Sequence, residues 1–248
     1  MSLLVFCSPT GSTGVTTTAL QVAALAPGSE PVVFAELDSS GGDLAGWLET
    51  GDRRGIASMV TTSDRSLDGL GPHLQRLPSG LPVLVAPALV AQAKLAVREV
   101  STWLPALFAA GVGVRVVADA GRVDPTELPA VVRVAGLVVI VVRQSLDSGP
   151  GSVPRVDRAR ELVDAVDASG VEHALVVIGA GPYAPADMAR HTGSELIGVL
   201  PEDARGAATG SGAWTIGRAA GRSLLAGATR DLSTRVMARL DTRIPVSP

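Results

Sequence analysis

Between the apolar run "LLVFC" (3–7) and a helical stretch beginning at residue 15 lies "SPTGSTGVTT" (8–17). Its residue types suit the holding of phosphate. In such a loop, backbone N–H groups converge on anionic oxygens, with a helix N-terminus behind them. Gly11 and Gly14 supply the backbone freedom, Ser12 and Thr13 fill the turn, and Thr16 and Thr17 bring hydroxyls to the helix start. One hydroxyl there ordinarily ligates Mg²⁺, and a lysine neutralises the outer phosphates. That lysine is missing: Lys94 is the chain's single lysine and lies far from the loop. Carboxylates able to work with a metal or water stand at later strand ends, Glu36 and Asp38 in "FAELDSSGG" and Asp119 in "VRVVADAGR". Taken by itself, the loop is also open to a plainer reading, a strand–helix turn that needs glycine for packing alone.

Those residues are useful only if strands carry them to one edge. The runs "LLVFC" (3–7), "PVVFAEL" (31–37), "LPVLVA" (81–86), "VRVVAD" (114–119), "LVVIVV" (137–142), "ALVVIG" (174–179) and "ELIGVL" (195–200) alternate with helical patterns over 15–26, 91–110, 125–135, 154–169 and 217–240. Near-continuous Val, Ile and Leu is the mark of parallel strands covered on both faces. The alternation predicts an α/β fold, a doubly wound and mostly parallel sheet with helices on both faces. Such sheets bind ligands at the carboxyl ends of their strands. A single domain over 1–241 with a tail at 242–248 is expected, and 50–80, rich in Gly, Asp and Ser, reads as a mobile excursion.

The loop and its flanks resemble the deviant Walker A motif of the ParA/MinD family of P-loop ATPases, K-G-G-x-G-K-[ST]-[ST]. Thr10 to Thr17 keep two glycines and both hydroxyls, but Thr10 replaces the signature lysine, Ser12 a glycine and Val15 the phosphate-loop lysine. "FAELDSSGGDLAGWL" (34–48) is similar to the family's switch I, where Asp38 falls on the water-orienting aspartate; "VRVVADAGR" (114–122) is similar to Walker B, where Asp119 falls on the Mg²⁺-holding aspartate. "ELIGVLPEDARGAATGSG" (195–212) resembles the segment whose loop packs on the purine, which brings Pro201 and Asp203 to the nucleotide; Gly179 replaces an asparagine that often reads adenine. "LPVLVAP" (81–87) and "LVVIVVRQSLDS" (137–148) resemble the CpaE/TadZ branch, localisation ATPases of pilus assembly loci.

The resemblance implies ATP and Mg²⁺ as ligands, the metal held by Thr16 and Asp119. It also implies a homodimer and a protein partner in a pilus, secretion or cell-pole apparatus. The departures change the chemistry. Removing one oxyanion-type donor costs about 3 kcal/mol in a transition state, so loss of two lysines predicts a pseudo-ATPase with weakened or lost binding and negligible turnover. An arginine acting in their place, Arg122 or Arg143, would give the opposite reading, an active partitioning ATPase. A third reading takes "PTGSTG" as the loop of an atypical short-chain dehydrogenase binding NAD(P), with Glu36 or Asp38 on the ribose. That group's Tyr-x-x-x-Lys pair is absent, since Tyr183 and Lys94 lie far apart.

From Arg205 onward seven arginines face two aspartates. Leu225, Leu232, Val236 and Leu240 recur at near-helical spacing among Arg230, Arg235 and Arg239, so DNA or a membrane surface is a conceivable partner. The sequence favours instead an amphipathic helix packed on the sheet. The net charge of −3 gives no global argument for nucleic acid. One cysteine, Cys7, excludes a disulfide framework and suits a small buried residue. No export signal is recognised in "MSLLVFCSPT", and a cytoplasmic protein, peripheral at a membrane or cell pole, is expected. His73, His173 and His191 have neither metal spacing nor an evident serine partner, and Trp47, Trp103 and Trp214 read as core or interface anchors.

Overall fold

The structure is a computed structural model that describes residues 3–48, 51–110, 113–145, 153–204, 206–207 and 223–242. Eight strands form one sheet: β1 (Leu3–Ser8), β2 (Val32–Glu36), β3 (Gln75–Arg76), β4 (Pro82–Leu84), β5 (Arg115–Arg122), β6 (Leu137–Arg143), β7 (His173–Ile178) and β8 (Leu196–Leu200). Their spatial order is β3-β4-β2-β5-β1-β6-β7-β8, parallel except for the β3–β4 pair. The seven expected strands are therefore present. β3 is an addition from the segment read as an excursion, which also holds a short helix α2 (Ile56–Met59) and a 3-10 turn at Asp68–His73.

Alternate residues of the inner strands enter different cores. Leu3, Val5 and Cys7 of β1 join one cluster with Ala96, Val100, Phe108 and Leu162. Leu4 and Phe6 join the other with Leu20, Leu232 and Val236. Both faces are dry, which is why these strands read as unbroken apolar runs. The first core is covered by α3 (Val90–Val100), α4 (Leu104–Ala110), α5 (Ala130–Arg133) and α6 (Val153–Ala168), and the second by α1 (Val15–Ala24) and α8 (Leu224–Asp241). A further helix, α7 (Pro185–Thr192), follows β7.

Three boundaries differ from expectation. The stretch 91–110 breaks into α3 and α4 because Pro105 tolerates only the first turn of a helix, and it occupies that turn of α4. The helical pattern at 125–135 shrinks to four residues starting after Pro129. The last helix begins at Leu224, capped by Ser223, whose hydroxyl accepts the Ala226 N–H at 3.0 Å; residues 217–222 of that expectation, the tail from 243, and Trp214 lie outside the described residues. No helix among the described residues is long and apolar enough to cross a membrane.

Candidate functional site

Strand β1 ends at Ser8, and the loop turns there into α1. Thr10 donates its N–H to Ser8 Oγ at 3.3 Å. Ser12 and Gly14 take positive φ, 57° and 89°. Gly14 is the N-cap of α1 and offers no side chain, so the first N–H groups of the helix are left open to a ligand, and no acidic residue stands in the first turn. Gly11 is exposed with open space around it. Val15, in the lysine position of the resemblance, is 7% exposed and packed into the α1-side core. Its side chain serves the fold.

The parallel register carries the acidic residues to one side of this loop. Glu36 pairs with Asp119 across β2 and β5, and Asp119 with Phe6 across β5 and β1. By strand alternation Asp119 shares the α1 face with Val117. It is fully buried; Oδ1 accepts the Gly121 N–H at 2.8 Å, whereas Oδ2 has no hydrogen-bond partner. Burial pushes Asp119 up to about 7, tempered by the Thr16 hydroxyl and the Gly121 N–H and reinforced by the charges of Asp38 and Asp43. Asp38 is also raised, chiefly by burial. Its Oδ1 accepts the Ser40 N–H at 2.7 Å, and its carboxylate lies so close to Gly121 that any Cβ there would collide with it.

Glu36 is a clip rather than a catalytic group. It is 1% exposed, and its two oxygens accept N–H groups from Asp43 at 2.7 Å, Leu44 at 3.2 Å and Ala86 at 3.0 Å. It thereby fastens the 38–44 loop to the end of β4. Burial still drives it up to about 7 against those three donors. No cation appears among the groups that shift Glu36, Asp38 or Asp119. Among the described residues no ion pair reaches these three carboxylates, and burial keeps Glu36 and Asp119 protonated toward neutral pH.

On the other side of the loop, toward β6, β7 and β8, lies a cleft of about 330 Å³. Thr13, Gly14 and Thr17 line one wall, and Arg143, Pro201 and Asp203 the other. Thr13 is 5% exposed and its hydroxyl is unpartnered. Arg143, at the end of β6, forms an ion pair with Glu202 after β8. Gly179, between them at the end of β7, has φ 82°, and a Cβ there would stand 2.6 Å from the Gln144 carbonyl, so the backbone itself excludes the asparagine of the resemblance. Asp203 accepts the Gly206 N–H at 2.8 Å and closes its own turn. Arg122 is exposed at the end of β5, in register with Ser8.

Of the nucleotide and metal positions read from the sequence, Thr13, Gly14, Thr17, Pro201 and Asp203 meet in the cleft, and Thr16 meets Asp119 beneath α1. Gly11 and Ser12 are exposed at the loop's tip, and Asp38 stands over Gly121. Sequence reasoning missed Glu202 and Gln21. The first sits in a "PED" quoted only for its proline and aspartate, and the second had no partner within sight along the chain. Gln21 donates to the Gly206 carbonyl at 3.3 Å and accepts the Thr229 hydroxyl at 3.2 Å.

Residues set aside on sequence grounds fall away from the site. Cys7 belongs to the opposite core, its thiol pushed up to about 12 by burial and by Asp119. Lys94 is exposed on α3. The histidines correct one expectation: His73 Nδ1 lies 2.7 Å from Ser58 Oγ and His173 Nδ1 2.9 Å from Ser194 Oγ, while His191 pairs with Asp157. Ser58 is occupied in a capping turn with Gly55, so the pair is structural. Of the three arginines on α8, Arg239 is held by Glu172 and Glu195, and Arg235 donates to the Ile197 carbonyl. The helix packs against α1 and β8, as a core helix would.

No protein-family model matches the chain. It is 33% identical over 218 residues to the ATP-dependent dethiobiotin synthetase BioD of Saccharopolyspora erythraea, an alignment spanning 82% of this chain and 89% of that protein. The ParA family ATPase from Chlorobium tepidum superposes with a TM-score of 0.73 at 18% identity, covering 95% of this chain and 98% of its own. The septum site-determining protein MinD of Pyrococcus horikoshii, solved with Mg-ADP, gives 0.68 at 14% identity over 98% and 99%. At such identities the two structures speak for the α/β P-loop fold.

Proposed function

Since the chain belongs to the family of the dethiobiotin synthetase BioD and has the ParA/MinD P-loop fold, we propose that it binds an adenine nucleotide without appreciable hydrolysis and acts by position, as a scaffold. The observation that carries this is an open, uncapped helix start that lacks the lysine: Val15 fills the core where a lysine would reach phosphate. Phosphoryl transfer depends on positioned positive charge. Arg143 lines the cleft, but no cation takes the loop position that the family's lysine holds, so backbone binding is kept and turnover is lost.

The residues present fit a magnesium ion. Asp119 has a buried, unpartnered oxygen with the Thr16 hydroxyl beside it. No cluster of three or more His, Cys, Asp or Glu suited to a metal occurs among the described residues, so the ion would arrive with phosphate, as Mg²⁺ commonly does. Bound there, it would supply charge neutralisation. Asp38 would stand at the water-orienting position, and the loop N–H groups with Thr13 and Thr17 would hold the nucleotide.

The scaffold reading is taken further by resemblance to the CpaE/TadZ branch: a dimer recruiting a pilus or secretion apparatus at a membrane or cell pole. A second reading, an ATP-dependent synthetase acting on a small molecule as its Saccharopolyspora relative does by name, is favoured by the 33% identity and opposed by the missing lysines. An NAD(P)-binding role is not favoured, the fold neighbours being ATPases. A phosphate-release assay with Mg-ATP, run beside Asp38→Ala, separates the scaffold from a hydrolysing ATPase, and the synthetase reading is tested by adding a small-molecule acceptor to the same assay. The scaffold predicts background release in both proteins, whereas release that vanishes in the variant would overturn it.

A further inference from the structure

The cleft is bridged by one ion pair, and the strand beneath that bridge carries no side chain. Arg143 ends β6 and Glu202 follows β8, so their contact crosses over the end of β7. Gly179 occupies that point, and Glu202 Oε2 lies 3.7 Å from where its Cβ would be. The two side chains are 39% and 48% exposed. A pair so solvated contributes little by itself. A phosphate at the same guanidinium, bound by two charge-assisted hydrogen bonds, can compete with it.

Charge is unevenly divided about the phosphate loop. Asp38, Asp43 and Asp119 share the side toward β2 and β5, while among the described residues Arg143 is the cation lining the cleft on the other side. Thr13, buried with an unpartnered hydroxyl, stands in the same cleft. Its volume of about 330 Å³ lies at the small end of ligand pockets.

Building on the nucleotide reading above, we propose that the Arg143–Glu202 pair is a latch over the cleft, opened by a nucleoside diphosphate that takes Arg143 from Glu202. The diphosphate reaches Arg143, Thr13 and the open N–H groups of α1. A third phosphate would extend toward Asp38, Asp43 and Asp119, none of which is ion-paired with a cation among the described residues. The latch makes the site selective for the shorter nucleotide when no metal is present.

The test is calorimetric titration of the full chain with ADP and with ATP in EDTA, for the unaltered protein, Arg143→Gln and Glu202→Gln. The latch predicts ADP binding about tenfold tighter than ATP, about tenfold weaker ADP binding in Arg143→Gln, and severalfold tighter ADP binding in Glu202→Gln, where the competing carboxylate is gone. Equal ADP affinity in Arg143→Gln and the unaltered protein, or a preference for ATP, would overturn the latch and leave the nucleotide reading standing. An unaltered protein that binds neither nucleotide, with or without Mg²⁺, would overturn both. Unchanged thermal unfolding of the two variants, expected for half-exposed side chains, confirms that affinity is read from folded protein.

Discussion

Glu36 and Val15 carry the same lesson from opposite directions. Each falls on a position that a motif would make functional, and each serves the fold, one as a buried acceptor for three backbone N–H groups and the other as core. Motif spacing was legible in the sequence because glycines and hydroxyls lie close together along the chain. Burial was not, because it depends on β4 and α8 arriving from elsewhere. Glu36, and likewise Asp119, binds its proton more tightly in the fold than in the unfolded chain. The native state therefore holds more protons between the ordinary carboxylate range and about 7. Stability from these groups is complete below the unfolded value and is lost as pH rises through about 7. Urea midpoints should accordingly fall between pH 5 and pH 8, with Glu36→Gln showing a shallower fall by on the order of 2 kcal/mol. Restoring the lysine as Val15→Lys should destabilise the chain by about 2 kcal/mol through lost apolar burial, measured by thermal melting.

Among the elements, β1, β2 and β4 to β8 were visible as apolar runs, the inner strands because both faces are covered. Two kinds of element escaped. α7 is too short and polar to show a long periodic stripe, although Pro185 at its start and Gly193 at its end are ordinary boundary residues. β3 is two residues long and exists only because it pairs antiparallel with β4. α8 was visible by its leucines, but its polar ties were not: Thr229 and Ser233 are buried against Gln21 and the Val22 carbonyl of α1. Leu232→Ala should cost about 2–5 kcal/mol by creating a cavity between α8 and β8. Ser223→Ala should cost about 1 kcal/mol through loss of the cap to Ala226. Chemical denaturation of both variants checks these magnitudes, and a Ser223 effect as large as that of Leu232 would contradict the packing described.

For the whole molecule, the sequence carried the α/β class, whereas the strand order and the family tie to a dethiobiotin synthetase did not emerge from it. Order requires knowing which strands pair at long range, and the family tie rests on identity spread thinly along 218 residues. The central placement of β1 puts carboxylates on one flank of the phosphate loop and Arg143 on the other. With Thr10 in the position whose lysine acts across the dimer in the family resembled, self-association should not depend on ATP. Light scattering should give the same mass with and without Mg-ATP, and a mass that doubles on adding nucleotide would refute this.

The tie between α1 and α8 joins residues 208 and 211 positions apart. During synthesis, then, the helix behind the phosphate loop leaves the ribosome early and waits for about 200 further residues before its polar partners emerge. Nascent chains stalled before residue 223 should be protease-sensitive at this helix, and competence for ligand would be acquired only once α8 has emerged.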